Sequence, residues 1–265
     1  SIESNNGPLG FSGDNLGKGR TLPTQNLVDA FPMKDGMFAG QGSKYTLNQS
    51  NPYENRDPRL DYTILHHGSS WLNNTLDISI GGVNNPSNSA EYSKTGYYMC
   101  KFMGKFGEES QYGNKIHLWV MFRYAEMLLN YAEAVYERDD KISNTDLNIS
   151  LNLVRLRVNP AMTPLTNELI TQNAGMDMRT EIRRERTIEL FNEGFRLDDL
   201  KRWKTAETEM PMDIVGIQWK GTEYEKVWAN CPYETNAEGC IIIEKGRKVG
   251  KKRTHLFRCR VTSCS

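Results

Sequence analysis

The chain has 265 residues, 38% hydrophobic and 25% charged, with 33 basic side chains against 33 acidic ones. That length allows one large domain or two small ones of ordinary globular composition. A formal net charge of zero gives no strong positive field for nucleic acid or an anionic membrane, and no apolar run approaches the ~20 residues of a membrane helix.

Ser1–Asp14 has no basic flank before an apolar core and no initiator Met. It reads as the start of a fragment or a processed chain, not as a signal peptide. Residues 1–118 are poor in helical pattern and rich in Asn, Gly, Ser and Pro. Asn26–Ala30 forms a helical turn that Thr24 can cap. Asn51-Pro52 and Asp57-Pro58 mark turns, because a residue before proline avoids the helical region. Asp61–Leu65 and Leu76–Ile80 are candidate short strands, and a polar loop follows at Gly81–Ser89. A long loop-rich region of this kind more often carries function than decoration.

From Trp119 the pattern changes. Met121, Ala125, Leu128, Ala132 and Val135 recur at helical spacing, with Tyr124 and Tyr131 as a second stripe, so this helix should sit between neighbours. Leu147, Leu151, Val154 and Val158 predict a second helix, capped by Asn144, Thr145 or Asp146 and stopped at Asn159-Pro160. The two form a helical hairpin. A third helix is predicted from near Asp177 to Phe191, ended by a left-handed Gly194. A shorter helix follows at Leu197–Trp203. Beyond Glu207 prolines and glycines break the pattern until a final strand at Cys240–Glu244.

The third helix carries Glu181, Glu185 and Glu189 on one stripe. Paired carboxylates can be glycosidase acid/base groups or metal ligands. Here Arg183, Arg184 and Arg186 interleave with them, and Arg196, Asp198, Asp199 and Arg202 follow. That mixture reads as an ion-pair scaffold. His66 and His67 are adjacent and diverge. His117 and His255 stand apart. There is no GxSxG elbow, P-loop or GxGxxG before a helix. The cysteines, Cys100, Cys231, Cys240, Cys259 and Cys264, form no CxxC pair, which disfavours zinc. Cys231 and Cys240 are a disulfide or two independent thiols, with equal weight.

RYAEMLLNYAEAVYE (Arg123–Glu137), LNLVRLRV (Leu151–Val158) and RRERTIELFNEGFRLDDLKRW (Arg183–Trp203) resemble the C-terminal part of the SusD/RagB family. PTQNLVDAFPMKDG (Pro23–Gly36), NPYENRDPRLDYTIL (Asn51–Leu65) and KTGYYMCKF (Lys94–Phe102) agree upstream, in the expected order. The resemblance covers residues 8–255. It implies a mainly α fold: a tetratricopeptide-like helical scaffold with a large irregular loop-rich region and a few short strands. The regions are then 1–118 (ligand-binding), 119–206 (helical scaffold) and 207–265 (irregular). It further implies a non-catalytic surface lipoprotein of the outer membrane. Such a protein captures glycans, or peptides in some members, for a TonB-dependent transporter of SusC/RagA type. Members are about twice as long, so the lipid anchor and further helices would lie outside this chain, and a helix face normally covered would be exposed. HLFRCRVTSCS (His255–Ser265) departs from the family's proline-rich ending, and a shifted reading frame after Phe257 accounts for it.

A sugar site needs an exposed aromatic plane ringed by amides and charges. Tyr97, Tyr98 and Phe102 belong to a shared motif and are expected in the core, as are Trp203, Trp219 and Trp228. Specificity should lie between the motifs, at Gly68–Ser93, where Asn84, Asn85 and Glu91 also stand. The ligand-binding candidates are Trp71, Asn73, Asn74 and Tyr92. The Asp and Asn of the loops are compatible with structural Ca²⁺ but lack EF-hand spacing, and no cofactor, metal or nucleic-acid partner is expected. The competing readings are an intracellular tetratricopeptide scaffold, which would spend little chain on loops, and a carbohydrate hydrolase, which lacks its acid/base pair.

Overall fold

The computed structural model describes residues 2–8, 17–79, 82–84, 93–104, 117–222 and 234–246. Along the chain run α1 (Ile2–Asn6), α2 (Gln25–Ala30), α3 (Arg59–Thr63), β1 (Ile64–Leu65), β2 (Ser70–Trp71), β3 (Asn74–Thr75) and β4 (Tyr98–Met99). The helical stretch follows: α4 (Tyr124–Asp139), α5 (Asn144–Asn148), α6 (Leu151–Val158), α7 (Asn167–Gln172), α8 (Met178–Glu189), α9 (Arg196–Arg202) and α10 (Ala206–Glu209), then β5 (Ile214–Gln218) and β6 (Cys240–Glu244). The protein is mainly helical with a few short strands. Two compact units interleave along it. One is Ser1–Val28, Asp61–His117 and Leu197–Ser265; the other is Asp29–Leu60 and Leu118–Arg196.

In the second unit, α4 turns Ala125, Leu128, Leu129 and Ala132 into a core with Leu147, Leu151, Val154, Leu165, Met178 and Ile182. It packs against α6 and α8. Burying one such leucine stabilises by about 1.5–3 kcal/mol. Met121, expected on the buried stripe, precedes the helix and is exposed. Leu147 and Leu151 share the core, but the helix predicted through them is broken into α5 and α6 at Ile149 and Ser150. The buried Ser150 hydroxyl donates to the Asp146 carbonyl, an alternative partner for a backbone group that a continuous helix would use. The cap is Ser143, one residue earlier than expected, whose hydroxyl accepts from the Asp146 amide. Asn159 leaves α6 in an extended conformation, as its proline neighbour demands. α7 was not foreseen; Thr166 caps it by accepting from Leu169 N. Asp177 caps α8 through the Thr180 amide, and Gly194 is left-handed with φ +90°.

Gly36 is a second position where only glycine fits. Its φ is +80°, and its carbonyl accepts from Arg155 Nη2 at 2.9 Å. A Cβ there would strike the same guanidinium nitrogen and stand 2.6 Å from Met162 Cγ. Gly36→Ala should cost about 2 kcal/mol, from the left-handed backbone and the displaced buried arginine. A urea titration tests this, and an unchanged midpoint would refute it.

In the first unit, β1 and β4 pair antiparallel through Ile64↔Met99 and Leu65↔Tyr98. The stretch read as a strand at Asp61–Leu65 is therefore mostly α3. Asp57 Oδ1 accepts from the Arg59 amide and Pro58 takes the first turn, so Asp57-Pro58 starts a helix. Leu76–Ser79 is not strand either; the pairing comes earlier, in β3. β5 and β6 pair with an irregular register, and β6 has the predicted bounds. Asn26 ties α2 to β5, accepting from Val215 N and donating to the Asp213 carbonyl. Tyr97 and Tyr98 are fully buried, as the motif implied. Trp203 is buried and Phe102 and Trp219 are half-buried. The candidates Asn85, Glu91, Tyr92 and Trp228, the cysteines Cys231, Cys259 and Cys264, and the tail after Phe257 lie outside the described residues.

Candidate functional site

The carboxylate stripe is the first place to look for chemistry. Each member is held by arginine. Arg184 pairs with Glu181. Arg59 reaches Glu185 at 2.6 Å and Glu189 at 3.1 Å, and its other nitrogen donates to Asp57 at 2.7 Å. Glu189 also receives Arg123 at 2.6 Å and Arg157 at 2.9 Å. Arg155 faces Glu185 at 3.8 Å, an ion pair without a hydrogen bond. Burial alone would raise the carboxyl of Glu189, but Arg59, Arg123 and Arg157 outweigh it and hold it at about 2. Burial likewise opposes ionisation of Glu185, and Arg59, Arg155 and Arg184 still keep it below its ordinary value. A general acid must keep its proton near neutral pH, and these two give theirs up. The cluster is a scaffold. Most of its arginines come from outside the helix, a feature that local spacing could not reveal. Among the described residues no group of three or more His, Cys, Asp or Glu comes together as metal ligands.

In the first unit, the sequence candidates gather on one hairpin. Ser70 pairs with Thr75 and Trp71 with Asn74, leaving a two-residue loop of Leu72 and Asn73. Both loop residues have positive φ, 50° and 58°, the requirement of a type I′ turn. Asparagine tolerates this readily. Leucine does so at a cost of about 1 kcal/mol, met here by burial. Trp71 and Leu72 are buried, at 6% and 8% exposure. Asn73 and Asn74 face solvent. The Asn74 amide donates to the Leu72 carbonyl at 2.9 Å, which fixes its plane. Three of the four candidates thus come together, but with the indole turned inward as an anchor and the carboxamides outward. Asn84 is buried, and its oxygen accepts from the Asp77 amide, a structural task.

One exposed aromatic was not among the sequence candidates. Tyr62 on α3 is 65% exposed, the most exposed aromatic among the described residues of this unit. It lay inside a stretch read as a strand within a shared motif, so its exposure gave no local signal. Beside it, Asp61 is bonded to His66 Nε2 at 2.9 Å, and the His66 backbone amide donates to the Ser69 hydroxyl oxygen, opening the turn that leads into β2.

No curated protein matches the chain. Among solved structures, it is similar to a SusD-like carbohydrate binding protein from Bacteroides fragilis, with 26% identity and a TM-score of 0.70 over 92% of this chain and 46% of that one. It is also similar to a second SusD-like protein from the same organism, with 30% identity and a TM-score of 0.60 over 76% of this chain and 39% of that one. The chain thus spans less than half the length of either. The sequence pattern of the SusD family matches residues 2–238, which is most of the chain, and the protein belongs to that family.

Proposed function

We propose that the protein binds glycan at the outer-membrane surface without turning it over, and passes oligosaccharide to a TonB-dependent transporter of SusC/RagA type. The observation that carries this reading is family membership, joined to the likeness over 92% of the chain to a carbohydrate binding protein. The site offers the right chemistry. Asn73 and Asn74 present carboxamides that donate to and accept from sugar hydroxyls. Tyr62 supplies a ring for the apolar face of a pyranose. Trp71 holds the hairpin from beneath.

The test is calorimetric titration of the full-length protein with neutral polysaccharides, with reducing ends assayed in parallel. Binding without new reducing ends is expected. Asn73→Gly combined with Asn74→Ala should weaken binding about tenfold, one to two lost hydrogen bonds, while glycine keeps the positive φ. Unchanged affinity would remove the hairpin from the site. Released sugar would overturn the binding-only reading, and binding of peptides alone would replace the ligand class.

A further inference from the structure

Two adjacent histidines stand at the root of the β2–β3 hairpin, and each meets a different kind of partner. His66 is 9% exposed. Its Nε2 lies 2.9 Å from Asp61 Oδ1 on α3, and its Nδ1 lies 2.7 Å from the His67 carbonyl. A carbonyl and an ionised carboxylate only accept, so both ring nitrogens must donate, and only the imidazolium carries hydrogen on both. His67 is the reverse. Its Nδ1 accepts from the Ile78 backbone amide at 3.3 Å. A ring nitrogen that accepts carries no hydrogen, so this bond belongs to a neutral imidazole protonated on Nε2.

Both bonds bear on how the hairpin is held. His66 ties its entry to α3, and its carbonyl accepts from the Ser69 amide in the turn before β2. His67 ties its exit, because Ile78 follows β3. Between these ties Gly68 N donates to the Leu76 carbonyl and Leu76 N to the Ser69 carbonyl. So short a two-stranded ribbon is marginal by itself, and ties at its root add to the firmness with which Asn73 and Asn74 are presented. Charged groups face the rings from both sides: Asp61 on α3 faces His66, and Asp77 after β3 faces His67. Asp77 Oδ1 stands 3.7 Å from His67 Nδ1, beyond hydrogen-bond reach. The Ser79 hydroxyl and amide hold the Asp77 carboxyl below its ordinary value, so the group stays ionised. A proton placed on His67 Nδ1 therefore gains a carboxylate partner and expels the Ile78 amide, since two hydrogens cannot share one lone pair.

We infer that His66 and His67 are positioning residues of the hairpin that work in opposite protonation states, His66 as imidazolium and His67 as neutral imidazole, and that acid loosens the hairpin's exit through His67. The consequence for affinity rests on glycan binding at this hairpin; the protonation states do not.

The full-length protein, labelled with ¹⁵N, separates the two. At pH 7 both His66 ring nitrogens should resonate as protonated, and His67 Nδ1 as bare. From pH 7 to pH 5, within the span over which histidines ordinarily titrate, the exchange protection factor of the Ile78 amide should fall about tenfold, the loss of one hydrogen bond. Affinity for a bound polysaccharide should fall with it. His67→Asn places a non-titrating acceptor, Oδ1, at the same point of the side chain, and should make both quantities independent of pH. A bare nitrogen on His66 at pH 7, hydrogen on His67 Nδ1, or an Ile78 protection factor constant across the range would overturn the inference. Falling protection with constant affinity would overturn the positioning role. Absence of polysaccharide binding at pH 7 would overturn the glycan site alone, and the nitrogen shifts and Ile78 exchange would still decide the protonation states.

Discussion

Replacing Arg59 by methionine should cost the protein roughly 3–5 kcal/mol, the usual penalty for removing one partner from a buried ionic network. Arg59 lies between Asp57, Glu185 and Glu189, all buried. Those carboxylates raise its pKa well above the ordinary value, although burial pulls the other way. Methionine fills similar volume but leaves the acids with fewer cations than charges. Glu185 would keep only the 3.8 Å approach of Arg155 and the field of its neighbours. Arg59→Lys should fall between the two, since it keeps the charge but cannot fork to three acids. Adding Glu185→Gln to Arg59→Met should recover part of the loss, since it removes one of the buried charges that Arg59 had balanced. The measurement is the urea midpoint at pH 7, with an unchanged m-value. A loss below about 1 kcal/mol for the methionine variant would place the network with exposed ion pairs, which contribute little.

That network shows where sequence reasoning reaches and where it stops. α4, α8 and β6 were legible because periodicity and caps are local: Asp177 before α8, Gly194 after it, and Ala125, Leu128 and Ala132 on one face. The carboxylate stripe was legible for the same reason, and its reading as scaffold rested on the arginines nearest in sequence. The arginines that do most of the bracing, Arg59, Arg123 and Arg157, come from other segments, and only the fold brings them in. The break at Ser150 escaped notice because Leu147 and Leu151 keep helical spacing across it. At the hairpin, an aromatic between shared motifs was expected to face the ligand. Yet Trp71 and Leu72 are buried and Asn73 and Asn74 exposed, with Leu72 in a left-handed turn that no glycine announces. Residue type said which groups could bind sugar; which of them reach solvent depends on the packing around the hairpin.

The second large effect depends on pH. Glu189 is held at about 2 in the folded protein against an ordinary 4.5. A depressed carboxyl stabilises the fold fully above its unfolded value, and the contribution is lost as pH falls through its folded value. The window therefore runs from about 4.5 down to about 2. Its size is about 3 kcal/mol at neutral pH, shared with the arginines that produce it. Glu189→Gln should accordingly lose about 2–3 kcal/mol at pH 7, since the amide keeps some hydrogen bonds but not the charge that Arg59, Arg123 and Arg157 surround. Below pH 4.5 the wild-type protein should weaken faster than the variant. The two stability curves should converge near pH 2, where the wild-type carboxyl is itself half protonated. Urea titrations every half unit from pH 7 to pH 2 would show the convergence. A constant gap across that range would mean that Glu189 acts through packing, with its ionisation contributing nothing to the fold.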